Sequence, residues 1–143
     1  INWIEKSLFV NCHRIIGQVE AMSDREKFVK TVKDTGAEAG LAWDIETEIG
    51  QVPVETDVVL LLGRKAGFGD EKFNSKVWQK VEQLKEIKQN RNYNFRIALD
   101  GGINETNITK AKTAGVEIAY CGRSVFDGKV KDNLEKLIYA GKD

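Results

Sequence analysis

The stretch Phe95-Arg96-Ile97-Ala98-Leu99-Asp100-Gly101-Gly102-Ile103-Asn104 decides how the rest of the chain is read. Phe95–Leu99 is a short apolar run without polar alternation, the pattern of a strand buried on both faces of a parallel sheet. Asp100 closes it with a carboxylate, and Gly101 and Gly102 let the backbone come close to a ligand. A helix follows, with Asn104 as its expected N-cap. Its first N–H groups and positive dipole end suit a phosphate. An Asp-Gly-Gly triplet alone is ordinarily a turn. Here a second small-residue turn, Gly122-Arg123-Ser124, follows the next apolar run, Ile118–Cys121. Two neighbouring glycine turns at strand ends make a phosphate cradle of the kind found in the seventh and eighth loops of β/α barrels.

Working outward, further apolar runs lie at Leu8–Cys12, Ala39–Trp43 and Val58–Leu62. Helical spacing separates them. Phe28, Val29 and Val32 mark a helix from about Asp24 to Thr35. Phe73, Val77, Val81, Leu84 and Ile87 share one face of another, with Lys76, Lys80, Glu82, Lys85 and Lys88 largely opposite. Ile108, Ala111 and Ala114 mark a third, and Val130, Leu134, Leu137 and Ile138 a last. Gly36, Gly115 and Gly141 follow helix ends, where glycine caps most cheaply. Strands alternating with helices give one domain, residues 1–143, of repeated β-α units. Periodicity leaves two architectures open, a doubly wound open sheet and part of an eight-stranded barrel.

Composition narrows the function. The chain has 143 residues, and 22 Lys+Arg balance 22 Asp+Glu, so nothing in its charge points to nucleic acid as a partner. At 41% hydrophobic and 31% charged it reads as globular. No apolar run approaches the roughly 20 residues of a membrane span, so a soluble protein without a membrane partner is expected. Cys12 and Cys121 form no disulfide framework, which fits a reduced, cytoplasmic setting, and both read as core residues. The single histidine, His13, excludes any site built from several histidines of this chain. It is expected at the C-terminal end of the first strand.

The loop after Val58–Leu62, Gly63-Arg64-Lys65-Ala66-Gly67-Phe68-Gly69-Asp70-Glu71-Lys72-Phe73, has three glycines around an aromatic and reads as a lid over the site or as a flexible surface loop. Trp43 and Asp44, at another strand end, could line a pocket or serve packing.

Several of these segments together resemble the ribulose-phosphate 3-epimerase family. Val58–Leu62 with Ala66-Gly67-Phe68-Gly69 and Lys72-Phe73 is similar to its sixth strand and lid. Ile97–Asn104 is similar to its seventh-strand motif, and Ala119-Tyr120-Cys121-Gly122-Arg123-Ser124-Val125-Phe126 to its eighth-strand turn. Gly36 through Thr47 resembles its fifth strand, and His13 falls where its fourth strand carries a histidine. Order and spacing agree from about Leu8 onward. The lid with Asp-Gly-Gly-Ile-Asn, some thirty residues apart, is the specific part.

The resemblance implies an α/β fold, a TIM (β/α)8 barrel represented by about strands four to eight. It implies an isomerase that epimerises a pentulose phosphate at C3, with two strand-end aspartates exchanging protons and a divalent metal (Zn, Mn, Fe or Co) held by two histidines and those aspartates. Asp100 then matches an acid/base and metal ligand. Gly101, Gly102, Gly122, Arg123 and Ser124 match phosphate turns, Gly67, Phe68 and Gly69 the lid, and His13 a substrate contact. The chain departs from the family pattern in several places. Ala66 stands for Pro before Gly-Phe-Gly, Asp70-Glu71 for Gly-Gln, Leu62 for a strand-end Met, and Asp44-Ile45 for Asn-Pro. Ile15 stands where an acidic residue is expected two positions after the histidine. One histidine cannot complete the metal set, so the missing strands are expected from other residues of the polypeptide or from a second chain, with homo-oligomer formation as one outcome. The alternatives are a non-catalytic sugar-phosphate-binding part of a barrel and another phosphate-binding barrel enzyme such as a hexulose-phosphate synthase.

Overall fold

A computed structural model describes residues 12–67 and 72–142. Five strands form one sheet: β1 (Arg14–Gln18), β2 (Glu38–Trp43), β3 (Val58–Leu62), β4 (Arg96–Asp100) and β5 (Ile118–Tyr120). Every neighbouring pair is parallel, and the spatial order is the chain order, β1-β2-β3-β4-β5. A doubly wound sheet reverses its strand order at a switch point. No reversal occurs among the five described strands, whose sequential order is that of consecutive β/α-barrel strands.

The helices are α1 (Arg25–Lys33), α2 (Val77–Arg91), α3 (Ile108–Ala114), α4 (Arg123–Phe126) and α5 (Val130–Ala140), with a short 3-10 turn at Val19–Ala21. Alternation of side chains along each strand divides the sheet into two faces. Ile15, Leu41, Trp43, Val59, Leu61, Ile97 and Leu99 join one core with Val29 and Val32 of α1, Val77, Val81 and Leu84 of α2, and Ala111 of α3. The other face gathers Ala42, Val58, Leu60 and Ala98, with Ile16, Leu62, Ile118 and Tyr120 packed against them. Both faces of β3 are therefore covered, which explains its unbroken Val-Val-Leu-Leu-Leu.

Several expectations need correction, and one lies largely outside the described residues. Leu8–Asn11 lie outside the described residues, and Cys12 is not in a strand; the first described strand is Arg14–Gln18. His13 thus precedes β1 and sits at its N-terminal end, where its carbonyl accepts the N–H of Glu38 at 2.9 Å. The β-α alternation is broken between β2 and β3, where residues 44–57 cross over without a helix. Buried Ile45 and Val52, with Ile49 packed beside them, fill the helix's place. Phe73 precedes α2 instead of opening it, and Gly141 caps α5 at φ −83, outside the left-handed region that Gly36 and Gly115 occupy.

Polar staples hold the N-terminal end of the sheet. Asp57, just before β3, accepts the N–H of Ala39 at 2.7 Å and the ammonium of Lys33 at 2.9 Å. Its own N–H and carbonyl bond to Ala39 and Arg96. On the helix-free face Glu38 accepts from Arg14 and Arg96, both at 2.7 Å. Arg14 also donates to the Tyr120 hydroxyl at 3.0 Å, so a side chain of β5 meets one of β1 across the concave face.

At the C-terminal end the loop after β3 lies directly on the turn after β4. Gly63 N–H donates to the Asp100 carbonyl at 2.6 Å, and Asn74 N–H to the Gly63 carbonyl at 2.7 Å. A Cβ on Gly63 would stand 2.6 Å from the Gly101 carbonyl oxygen and 2.9 Å from the Phe73 ring. Gly63→Ala is expected to cost about 1–3 kcal/mol by overpacking, measured as a lower denaturant midpoint with an unchanged slope.

Candidate functional site

The C-terminal ends of β3 and β4 enclose a cavity of about 330 Å³ lined by Leu62, Arg64, Lys65, Ala66, Gly67, Asp100 and Gly101. β4 delivers Asp100 because its side chain follows Ala98 on the concave face, two residues on. Gly101 and Gly102 both take positive φ, at +95° and +88°, which a side chain rarely adopts. Their turn brings Gly101 against the Arg64 side chain and Gly102 against Phe73.

The turn that follows is satisfied from within. Asn104 carbonyl accepts from Asn107 and Ile108, its carboxamide oxygen accepts from Thr106, and Asn107 returns an oxygen to the Asn104 N–H at 2.9 Å. Asn107, not Asn104, occupies the N-cap position of α3. The amides of Asn104, Thr106, Asn107 and Ile108 are therefore engaged within the turn. What the motif brings to the cavity is Asp100 and Gly101, and two cations, Arg64 and Lys65, line the same space.

The second glycine turn is built differently. Gly122 sits open, with nothing within 4 Å of a Cβ placed there, and Arg123 starts the short α4. Gly122, Arg123 and Ser124 do not line the cavity beside Asp100. Burial pushes the Cys121 thiol above its usual range, against an opposing contact with Ser124. Of the lid residues, Gly67 lines the cavity, and Phe68 and Gly69 lie outside the described residues.

A polar network borders the cavity on the β1 and β2 side. Asp44, only 9% exposed, follows β2 and accepts the Ala66 N–H at 2.7 Å and the Glu46 N–H at 3.2 Å. Its own N–H donates to Glu20 at 3.0 Å. Lys80 of α2 donates to the carbonyls of Asp44, at 2.6 Å, and Thr47. Burial lowers the Lys80 ammonium below its usual range despite the nearby Asp44, Glu20 and Glu46 carboxylates. The helical pattern placed Lys80 on the solvent side; its four-carbon stem instead carries the charge back to the strand ends. Glu20 is disfavoured as a charge by its own burial, but hydrogen bonds from Thr47, the Asp44 and Glu20 amides and Gln18 outweigh this and hold it below the usual carboxylate range.

With β1 running from Arg14 to Gln18, the residues at its C-terminal end are Gln18 and, two positions on, Glu20. Gln18 and Glu20 therefore stand at the C-terminal end of β1, and His13 and Ile15 at its N-terminal end. The strand signal was present in Ile-Ile-Gly-Gln-Val-Glu, but the earlier apolar run Leu8–Cys12 masked it.

A model of the ribulose-phosphate 3 epimerase family matches residues 2–126. The chain belongs to this family. The ribulose-phosphate 3-epimerase of Buchnera aphidicola subsp. Baizongia pistaciae is 30% identical over 111 residues, covering 76% of this chain and 49% of that protein. That of Aquifex aeolicus is 28% identical over 131 residues, covering 90% and 54%. That of Escherichia coli K12 is 25% identical over 111 residues, covering 76% and 49%. The chain spans about half the length of the curated relatives it matches.

The ribulose-phosphate 3-epimerase family uses divalent metals. Among the described residues no three His, Cys, Asp or Glu side chains converge to hold one. Asp100 stands at the C-terminal end of β4, His13 at the far end of β1, and Glu20 and Asp44 are occupied with backbone amides. The donor set implied by the resemblance is not assembled by these residues. No described helix is long and apolar enough to cross a membrane.

Because the Glu20 carboxylate is held low in the fold, its contribution is present above about pH 4.5, the ordinary value, and is lost as pH falls through the lowered one. Glu20→Gln keeps an acceptor oxygen but not the charge. The stability advantage of the wild type over this variant, followed by thermal unfolding, is expected to shrink below pH 4.5. An advantage that grows on acidification contradicts the assignment.

Proposed function

We propose that the chain forms the C-terminal part of an eight-stranded β/α barrel that binds a ketose phosphate, such as a pentulose phosphate, and exchanges the proton at its C3. The observation that carries this reading is Asp100 at a strand's C-terminal end, in one cavity with Gly101, Gly67, Arg64 and Lys65. The barrel supports it geometrically. Five consecutive strands of eight span half the circumference, so the first and fifth face each other across an interior that side chains just fill. The 3.0 Å contact between Arg14 and Tyr120 fits that curvature.

In the reaction the Asp100 carboxylate takes the C3 proton, and the C–H electron pair moves to the neighbouring carbonyl to give an enediolate. Arg64 and Lys65, which line the same cavity, offset the developing negative charge. Protonation of the opposite face by a second acid, which the resemblance places in strands outside this chain, inverts C3; return from Asp100 after its carboxyl proton has exchanged with solvent gives isotope exchange without inversion. The turns at Gly101, Gly102, Gly122, Arg123 and Ser124, and the loop at Gly67, Phe68 and Gly69, are the proposed phosphate and substrate contacts. His13 is not carried into this role, since it lies at the N-terminal end of β1.

With ribulose phosphate in deuterated water, the protein is expected to incorporate deuterium at C3, followed by proton NMR. Asp100→Asn is expected to abolish that exchange while phosphate affinity stays within about threefold, because it removes the base and leaves the cation wall. Exchange that survives in the variant removes Asp100 from the chemistry. A wild type that binds the sugar phosphate without exchange supports the second reading, a binding barrel without turnover.

The reading also places β1 and β5 at open sheet edges. Beside β5 lies an apolar groove of about 510 Å³ lined by Ile108, Ala111, Val116, Leu134, Leu137 and Ile138. Leu134 and Ile138 are about half exposed there. A parallel strand added to β5 would lay its helix on this stripe. We propose that further strand–helix units of the barrel occupy it, and that the isolated chain self-associates instead. Light scattering at micromolar concentration is expected to give a mass above 16.1 kDa, lowered by Leu134→Lys with Ile138→Lys. A stable monomer counts against it.

A further inference from the structure

We propose that Asp44 is a positioning residue, which holds the wall of the Asp100 cavity by gripping the backbone of the loop after β3. The proposal rests on reading that cavity as a sugar-phosphate site. β2 ends in fully buried Trp43, roofed by the Arg25 guanidinium 5.3 Å from its ring, so the next residue leaves the sheet from a fixed point. Asp44 then has each of its polar groups engaged. Its two carboxylate oxygens take the amides of Ala66 and Glu46, its N–H is held by Glu20, and its carbonyl by Lys80.

Ala66 is the link to function. It lines the cavity between Lys65 and Gly67, and its amide is held from a neighbouring strand end at 2.7 Å. Hydrogen bonds to an ionised acceptor are shorter and stronger than neutral ones. The two amides approach different oxygens, so this arrangement calls for a side chain with an acceptor at both positions. An amide side chain has one oxygen, and its NH₂ would face the other donor. Lys80, half-buried and bonded to the Asp44 carbonyl, offsets the carboxylate's charge within the same network. The Arg64-Lys65 wall is thus fixed at one side by Gly63 on the Asp100 carbonyl and at the other by Ala66 on Asp44.

Amide exchange in the 15N-labelled full chain, with titration by ribulose phosphate, tests this. In Asp44→Ala the Ala66 amide is expected to exchange about tenfold faster while those of Val59 and Leu61 in β3 stay unchanged, and ligand affinity to fall about tenfold, as for the loss of one charged hydrogen bond. Asp44→Asn keeps one acceptor. It should leave one of the Ala66 and Glu46 amides protected and the other not, with affinity within about threefold of wild type. Unchanged Ala66 exchange in Asp44→Ala overturns the proposal, and so does an equal loss of affinity in both variants, which would assign the effect to charge. Should Asp44→Ala not fold, unchanged exchange at both amides of Asp44→Asn overturns it. A wild type that does not bind ribulose phosphate removes the proposed substrate, and the Ala66 amide still decides the anchoring.

Discussion

A parallel sheet cannot leave either face in water, because its strands carry apolar side chains on both sides and its crossovers must cover one of them. β3 shows the constraint at its strictest. Val59 and Leu61 point to the helices, Val58 and Leu60 to the concave side, and all four are buried. Everything else follows from covering those two faces. The helices α1, α2 and α3 close one, and Ile16, Ala42, Ala98 and Tyr120 close the other. Where a helix is missing, between β2 and β3, an irregular crossover supplies Ile45, Ile49 and Val52 to the same core.

Covering the faces drives polar chemistry to the ends of the strands, and the two ends are used differently. At the N-terminal end Asp57, Lys33, Glu38, Arg14 and Arg96 pair with one another and with backbone amides. Those contacts tie strands together. At the C-terminal end Glu20, Asp44 and Lys80 take up the loose backbone of the loops, and Asp100 is left facing a cavity with Arg64, Lys65 and Gly101. One carboxylate positions the wall and another lines the space it encloses. This division matches the general location of function at the C-terminal ends of parallel strands.

Family membership and local divergence meet at the same place. By the resemblance, Asp44 stands for Asn and Ala66 for Pro, and these two residues are the partners of one hydrogen bond. A proline at that loop position has no N–H to give. The amide at residue 66 and the two-oxygen acceptor at residue 44 thus form a matched pair, each useful because of the other.

The sequence by itself determined the strand and helix content wherever a periodic pattern was long or an apolar run was bounded by turns. Val58–Leu62 is the strand as read, and the helix marked by Ile108, Ala111 and Ala114 and the last helix also stand. It determined Asp100 at a strand end as well, since a carboxylate followed by two glycines records a local backbone requirement. Strand order could not be read, because the same β-α units fit a reversed or a sequential sheet until their pairings are known. His13 falls at the opposite end of the strand from the one read for it, for a related reason. Two apolar runs lie close together, and only pairing with β2 selects Arg14–Gln18 as the strand. The Asp44–Ala66, Asp44–Glu20 and Lys80–Asp44 contacts join residues more than twenty positions apart. No local pattern carries such contacts, and they exist only because the parallel sheet brings the ends of β1, β2 and β3 side by side.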